Sequence, residues 1–204
     1  MGKSYVVIAL SFCMGFIIMG VELLCGKLMA PYFGASVHVW GSVIFTFMLA
    51  LSLGYLAGGY WSKSQPTLAR YGVLFCMAGL LLLPAIGFAP HFMDWVMITI
   101  DDPRSGSLLS TMTLFFLPTV FMGMAAPYAI RLLIESTENS GMTSGTLYFV
   151  STLGSAFGTI LTSFYFILWL PLNTLLYTAC AILLVAGAGA VASDKWGGDT
   201  RVSA

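Results

Sequence analysis

The chain reads as an all-α membrane protein, a polytopic bundle of six transmembrane helices. Three observations predict this. Of its 204 residues, 59% are hydrophobic and only 8% charged, against about 25% charged in a soluble domain. The apolar residues collect into six runs near the roughly 20 residues that cross a bilayer as a helix. Trp40, Trp61, Trp95, Trp169 and Trp196 all fall near run ends, as in the aromatic belts found at headgroup level.

Helix 1 is expected from about Tyr5 to Met29, ended or kinked by Pro31. It runs on past Glu22 with no small-residue cleavage site, so it reads as a retained span and not a signal peptide. Helix 2 is expected from Val39 to Tyr60, and helix 3 from Tyr71 to Phe88, stopping before Pro90. The segment His91–Ile100 reads as a short amphipathic piece at the interface. Helix 4 is expected from Leu108 to Ile130, with Pro118 and Pro127 inside or near its end. Helix 5 runs from Leu147 to Trp169, Pro171 breaks the chain, and helix 6 runs from Leu172 to Val191. Residues 192–204 are left as a short tail of a single transmembrane domain covering 1–204.

Lys3, Lys63, Arg70, Arg131, Lys195 and Arg201 fall on one side of this topology, and Lys27 and Arg104 on the other. The excess of Lys and Arg marks the cytoplasmic side. Both termini are therefore expected in the cytoplasm, in a bacterial inner membrane. Net charge is zero, which leaves no electrostatic footprint for nucleic acid. Cys13, Cys25, Cys76 and Cys180 have no paired spacing and read as small packing residues. No metal ligand set and no cofactor is expected.

The stretch from Gly20 to Gly41 holds the least expected residues. An ionisable group at membrane depth costs about 2.5–3.5 kcal/mol on insertion scales. Glu22 lies about 25 Å along helix 1, in its outer half. Lys27 follows five residues later, about 140° around the helix, so the two cannot form an ordinary i,i+4 pair. Glu22 either binds a cation or relays protons, or is neutral and bonded to a neighbour. Tyr148, Ser151, Thr152, Ser155 and Thr159 put a hydroxyl stripe on helix 5 that would line a polar cavity facing Glu22, or serve packing. Gly54, Gly58, Gly154 and Gly158 repeat at four-residue spacing, which lets helices approach closely. His38, Arg131 and the Asp101-Asp102 pair read as interfacial or solvated groups.

Two short matches suggest an internal repeat. Leu28-Met29-Ala30-Pro31-Tyr32 resembles Met124-Ala125-Ala126-Pro127-Tyr128, and Leu53-Gly54 with Gly58 resembles Leu153-Gly154 with Gly158. Three helices per half would make the halves inverted relative to each other, an arrangement many transporters use.

Several segments carry a resemblance to a known family. They are Glu22 and Lys27 followed by Met29-Ala30-Pro31-Tyr32-Phe33-Gly34 and Trp40-Gly41; Leu53-Gly54-Tyr55 with Gly58-Gly59; Leu117-Pro118 through Met122-Gly123-Met124 to Pro127 and Arg131; and Ser144-Gly145 with Leu147-Tyr148, Ser151-Thr152-Leu153-Gly154-Ser155 and Gly158-Thr159. In this order they resemble the membrane domain of the spermidine-synthase-like membrane proteins, often labelled fused MFS/spermidine synthase. That family usually has Arg where this chain has Lys27, and Lys loses the bidentate fork. Its longer members continue into a cytosolic aminopropyltransferase-like domain, for which this chain has no Gly-rich strand–turn–helix and no acidic catalytic pair. Synthase activity is therefore not expected of these residues.

The resemblance and Glu22 together imply a membrane module that binds or transports a small molecule, a cationic amine being the first candidate. Its candidate site residues are Glu22, Lys27, Tyr148, Ser151, Thr152 and Ser155. The alternative is a non-catalytic membrane subunit, which either anchors a separate synthase-like enzyme or is structural in an electron-transfer or photosynthetic assembly. The lipid bilayer is the first partner, with a second copy or other membrane or soluble subunits beside it.

Overall fold

The computed structural model describes residues 2–134 and 140–199. Among them there is no strand. α1 (Gly2–Phe33), α2 (Val37–Trp61), α3 (Leu68–Thr99) and α4 (Pro103–Leu133) are followed by α5 (Ser140–Leu161). A π-helical turn (Thr162–Phe166) and the single turn α6 (Ile167–Trp169) continue α5 into one span, and α7 (Leu172–Asp199) completes the bundle. Six of these helical stretches are long and apolar enough to cross a membrane, so the chain is a multi-pass membrane protein.

The helices are longer than the sequence predicts, and in α1 and α3 proline is the reason. α1 runs through Pro31, α3 through Pro84 and Pro90, and α4 through Pro118 and Pro127. In water a mid-helix proline often ends the helix. In lipid, a freed carbonyl has no water to turn to, and local adjustment within the bundle satisfies it instead. The segment expected as a separate interfacial piece, His91–Ile100, is consequently the end of α3, with Met93 and Val96 buried. The tail expected from 192 is helical as far as Asp199, and 200–204 lie outside the described residues.

The starts of α3 and α4 are capped by side chains. The Thr67 side chain accepts from the Arg70 N–H at 3.2 Å, and Asp194 of α7 accepts from the Ala69 N–H at 3.1 Å. Asp102 opens α4 by accepting from the backbone N–H groups of Arg104 and Ser105, with Pro103 at the first helical position. Each bond satisfies one of the free N–H groups that every helix N-terminus carries.

α4 is the most enclosed span. The largest fully buried side chains include Phe47 of α2, Tyr71 and Phe75 of α3, and Phe115 and Tyr128 of α4. In lipid, apolar burial supplies no drive between helices, so close backbone approach holds the bundle. The most extensive interfaces are α2 on α4, α3 on α7 and α1 on α5.

The close approaches obey an internal two-fold. A Cβ at Gly54 or Gly58 of α2 would fall on the carbonyls of Val120 or Met124 in α4. A Cβ at Gly154 or Gly158 of α5 would fall on those of Phe12 or Phe16 in α1. A Cβ at Gly123 of α4 would meet Leu51, and one at Gly15 of α1 would meet Ser151. All three pairs agree on one register: Phe12, Gly15 and Phe16 match Val120, Gly123 and Met124, while Leu51, Gly54 and Gly58 match Ser151, Gly154 and Gly158. The correspondence of Leu53-Gly54 with Leu153-Gly154 holds in this register. The one read from Leu28–Tyr32 and Met124–Tyr128 does not, because Met124 faces its neighbour as Phe16 does.

α1, α3 and α5 begin on one face of the bundle, where α2, α4 and α7 end. Lys63, Arg70 and Arg131 are exposed there; Lys27, His38, Asp101 and Arg104 are exposed toward the other end. These are called the terminal face and the opposite face below.

Candidate functional site

A cavity of about 210 Å³ lies where α1 and α4 cross, in the half of the bundle nearer the terminal face. α1 lines it with Ser11, Gly15, Ile18 and Met19, a stripe at helical spacing. α2 adds Tyr55, α3 adds Tyr71, and α4 adds Met122, Ala126 and Ile130. α5 supplies Tyr148, Ser151 and Ser155. A second cleft of about 230 Å³, lined by Ser4, Ile8, Thr143 and Thr146, shares Leu147 with the cavity and leads toward the terminal face. At about 30 Å³ per water, the inner space holds about seven waters or one small molecule.

Three of the six lining hydroxyls, those of Ser11, Tyr71 and Ser155, are committed as donors. Ser11 Oγ donates to the Val7 carbonyl at 2.8 Å. A hydroxyl has one proton, so in the 3.2 Å contact between Ser11 Oγ and the Tyr71 hydroxyl, Tyr71 is the donor. Ser155 Oγ donates to the Gly15 carbonyl at 3.2 Å. The protons of Ser11, Tyr71 and Ser155 therefore point into the protein; Tyr71 is fully buried, and lone pairs on the part-buried Ser155 remain for a ligand. Tyr71 is held rigidly. It stacks on Tyr128 at 6.1 Å with planes 5° apart and meets Phe75 edge-on at 5.2 Å. Tyr128 is anchored in turn by accepting from the Thr67 N–H at 3.2 Å.

Among the predicted residues, Tyr148, Ser151 and Ser155 meet in the cavity. Thr152 is exposed on the far side of α5, and Thr159 spends its hydroxyl on the Ser155 carbonyl at 2.9 Å. Lys27 is exposed and stands two turns beyond the lining residue Met19. Glu22 is half-buried and does not line the cavity. It lies on the same stripe as Ser11, Gly15 and Ile18, about 6 Å beyond Ile18 along the axis. Among the described residues no hydrogen bond or ion pair engages its carboxylate. The neighbouring Gly20 lies against Thr162, the first residue of the π turn. Such turns often occur at functional positions in helices.

Ser11, Tyr55 and Tyr71 are lining residues that sequence reasoning missed. Ser11-x3-Gly15-x2-Ile18 is a legible stripe on helix 1. Tyr71 carried no signal, because it looks like the first residue of a span.

The described residues contain no group of three His, Cys, Asp or Glu placed to hold a metal. Comparison with known proteins returns no match: no family model, no curated protein and no solved structure.

Proposed function

We propose that this protein binds a small protonated amine in the cavity between α1, α4 and α5 and moves it across the membrane. One observation carries the reading: Tyr55, Tyr71 and Tyr148 line one cavity together with Ser155, whose proton is spent on the Gly15 carbonyl and whose lone pairs remain. Such a lining favours a ligand rich in N–H donors. Tyr55, Tyr71 and Tyr148 surround the same space, and tyrosine rings attract cations by about 0.5–2 kcal/mol. The resemblance to spermidine-synthase-like membrane proteins points to the same ligand class. The Lys and Arg excess on the terminal face supports a cytoplasmic placement of both termini in a bacterial inner membrane.

The test is calorimetry on the protein in lipid nanodiscs, comparing butylamine and 1,4-diaminobutane with butyrate and butanone of similar size. The amines bind and the acceptor-only ligands do not. Equal or tighter binding of butyrate or butanone overturns the reading.

A second reading, a non-catalytic subunit of a larger membrane assembly, draws on the fifth span. α5 is seated chiefly on α1 and exposes Phe149, Leu153, Phe157 and Ile160. Affinity purification in mild detergent with mass spectrometry separates the two: a stoichiometric partner chain favours this reading, and the chain alone or paired with itself favours the first.

A further inference from the structure

We propose that Glu22 becomes part of the amine site in a second conformation, in which the same cavity opens toward the opposite face. The inference rests on the amine-binding reading and on the two-fold register.

That register pairs Met14 with Met122, Ile18 with Ala126, Leu51 with Ser151 and Tyr55 with Ser155, and both members of every pair line the cavity. The cavity thus sits on the two-fold. The rest of its lining is lopsided. Ser11 and Ile130 line it, but their counterparts Thr119 and Glu22 do not.

Those two counterparts carry polar groups with nothing to do in this conformation. The Thr119 hydroxyl is fully buried with no hydrogen-bond partner, and the half-buried Glu22 carboxylate has none among the described residues. A buried hydroxyl left unpaired is costly; Thr46 and Ser110 carry one too, but only Thr119 is the counterpart of a cavity residue. Exchanging the conformations of the two halves moves the lopsided part of the cavity across the two-fold. Thr119 then takes the place of Ser11, Glu22 takes the place of Ile130, and both acquire water or ligand. In this second state the ammonium meets a carboxylate.

In the present structure tight contacts separate the cavity from the opposite face, where a cleft of about 550 Å³ is lined by His38, Ser42 and Arg104. There the Trp40 ring would meet a Cβ at Gly26 at 2.7 Å, Phe33 would meet one at Gly106 at 2.8 Å, and Ser42 bonds Ser107 across α2 and α4 at 3.1 Å. The cleft beside Ser4 and Thr143 leaves the terminal face open.

Carboxyl labelling of the unmodified protein tests this. A water-soluble carbodiimide with glycine ethyl ester is applied in nanodiscs, and modified residues are located by mass spectrometry. Asp102, which is exposed, is the internal standard. Glu22 is expected to react, and saturating 1,4-diaminobutane is expected to slow that reaction at least threefold relative to Asp102. A second arm uses S4C/T143C joined by a short bis-maleimide to close the terminal cleft, which is expected to raise Glu22 labelling. Glu22 inert in both arms, while Asp102 reacts, overturns the proposal. Amine binding by calorimetry with Glu22 inert leaves a static binding site and removes only the second conformation. Labelling raised by the cross-link without amine binding removes the ligand and keeps the conformational exchange.

Discussion

Tyr71 is the residue on which the ligand reading turns. Its hydroxyl donates to Ser11 in the cavity wall, and its side chain is fully buried. Tyr71→Phe removes that hydroxyl from the wall, yet Ser11 keeps its bond to Val7 and the ring keeps its stacking. Amine affinity is therefore expected to fall about tenfold, equivalent to about 1.4 kcal/mol, with the melting temperature nearly unchanged; calorimetry and a thermal melt check the two halves of that statement. A second residue-scale prediction concerns Asp102. The Arg104 backbone N–H, then the Ser105 hydroxyl, bond its carboxylate and hold it below the ordinary carboxylate range. A depressed folded value means that the cap contributes above the unfolded value near 4 and is lost as pH falls through the folded one. The protection of the Arg104 and Ser105 amides against hydrogen exchange, relative to their intrinsic rates, is expected to fall as pH drops below about 4, and Asp102→Asn is expected to abolish that dependence while keeping the cap. Part of this scale was legible in the sequence. Tyr148, Ser151 and Ser155 shared a stripe that helical spacing reveals, but which hydroxyl faces inward depends on the crossing of α1 with α5. Spacing alone cannot separate Ser151 from its exposed neighbour Thr152.

At the scale of elements, the interfaces rest on missing side chains. A Cβ at Gly154 would collide with the Phe12 backbone, whereas one at Gly59 would meet nothing within 4 Å. Gly154→Ala is expected to destabilise the bundle by about 1–3 kcal/mol, the usual range for overpacking. Gly59→Ala, the control, is expected to be neutral or slightly stabilising, since alanine outranks glycine in helices. Thermal melts in one detergent compare them; equal effects would contradict the proposed packing of α1 on α5. The existence of each span was legible because length and apolarity decide it. The ends at Pro31 and Pro90 were not, because these prolines act as breakers only where water competes for the freed carbonyls. The π turn was also invisible, since no residue in Thr162–Phe166 marks an inserted backbone position.

The glycine contacts of α2 on α4 and of α5 on α1 share one register across the molecule. The sequence hinted at a repeat through Gly54 and Gly154, and both of those glycines sit in backbone contact in that register. The Ala-Pro-Tyr match between helices 1 and 4 misplaces the second half, because a shared kink motif need not occupy the same place in an interface. Six crossings put both termini on one side, so protease tags fused before Ser4 and after Ala204 are expected to be cleaved from the same face of oriented vesicles. Cleavage from opposite faces would contradict the span count.

The most direct test of the central claim is a density map of the protein in nanodiscs with a saturating iodinated alkylamine, whose heavy atom marks the site. The account predicts one peak in the space between Tyr71, Tyr148 and Ser151, absent when Tyr71→Phe is combined with Ser155→Ala. An acyl chain in that space, or the iodine signal elsewhere in the bundle, would contradict it.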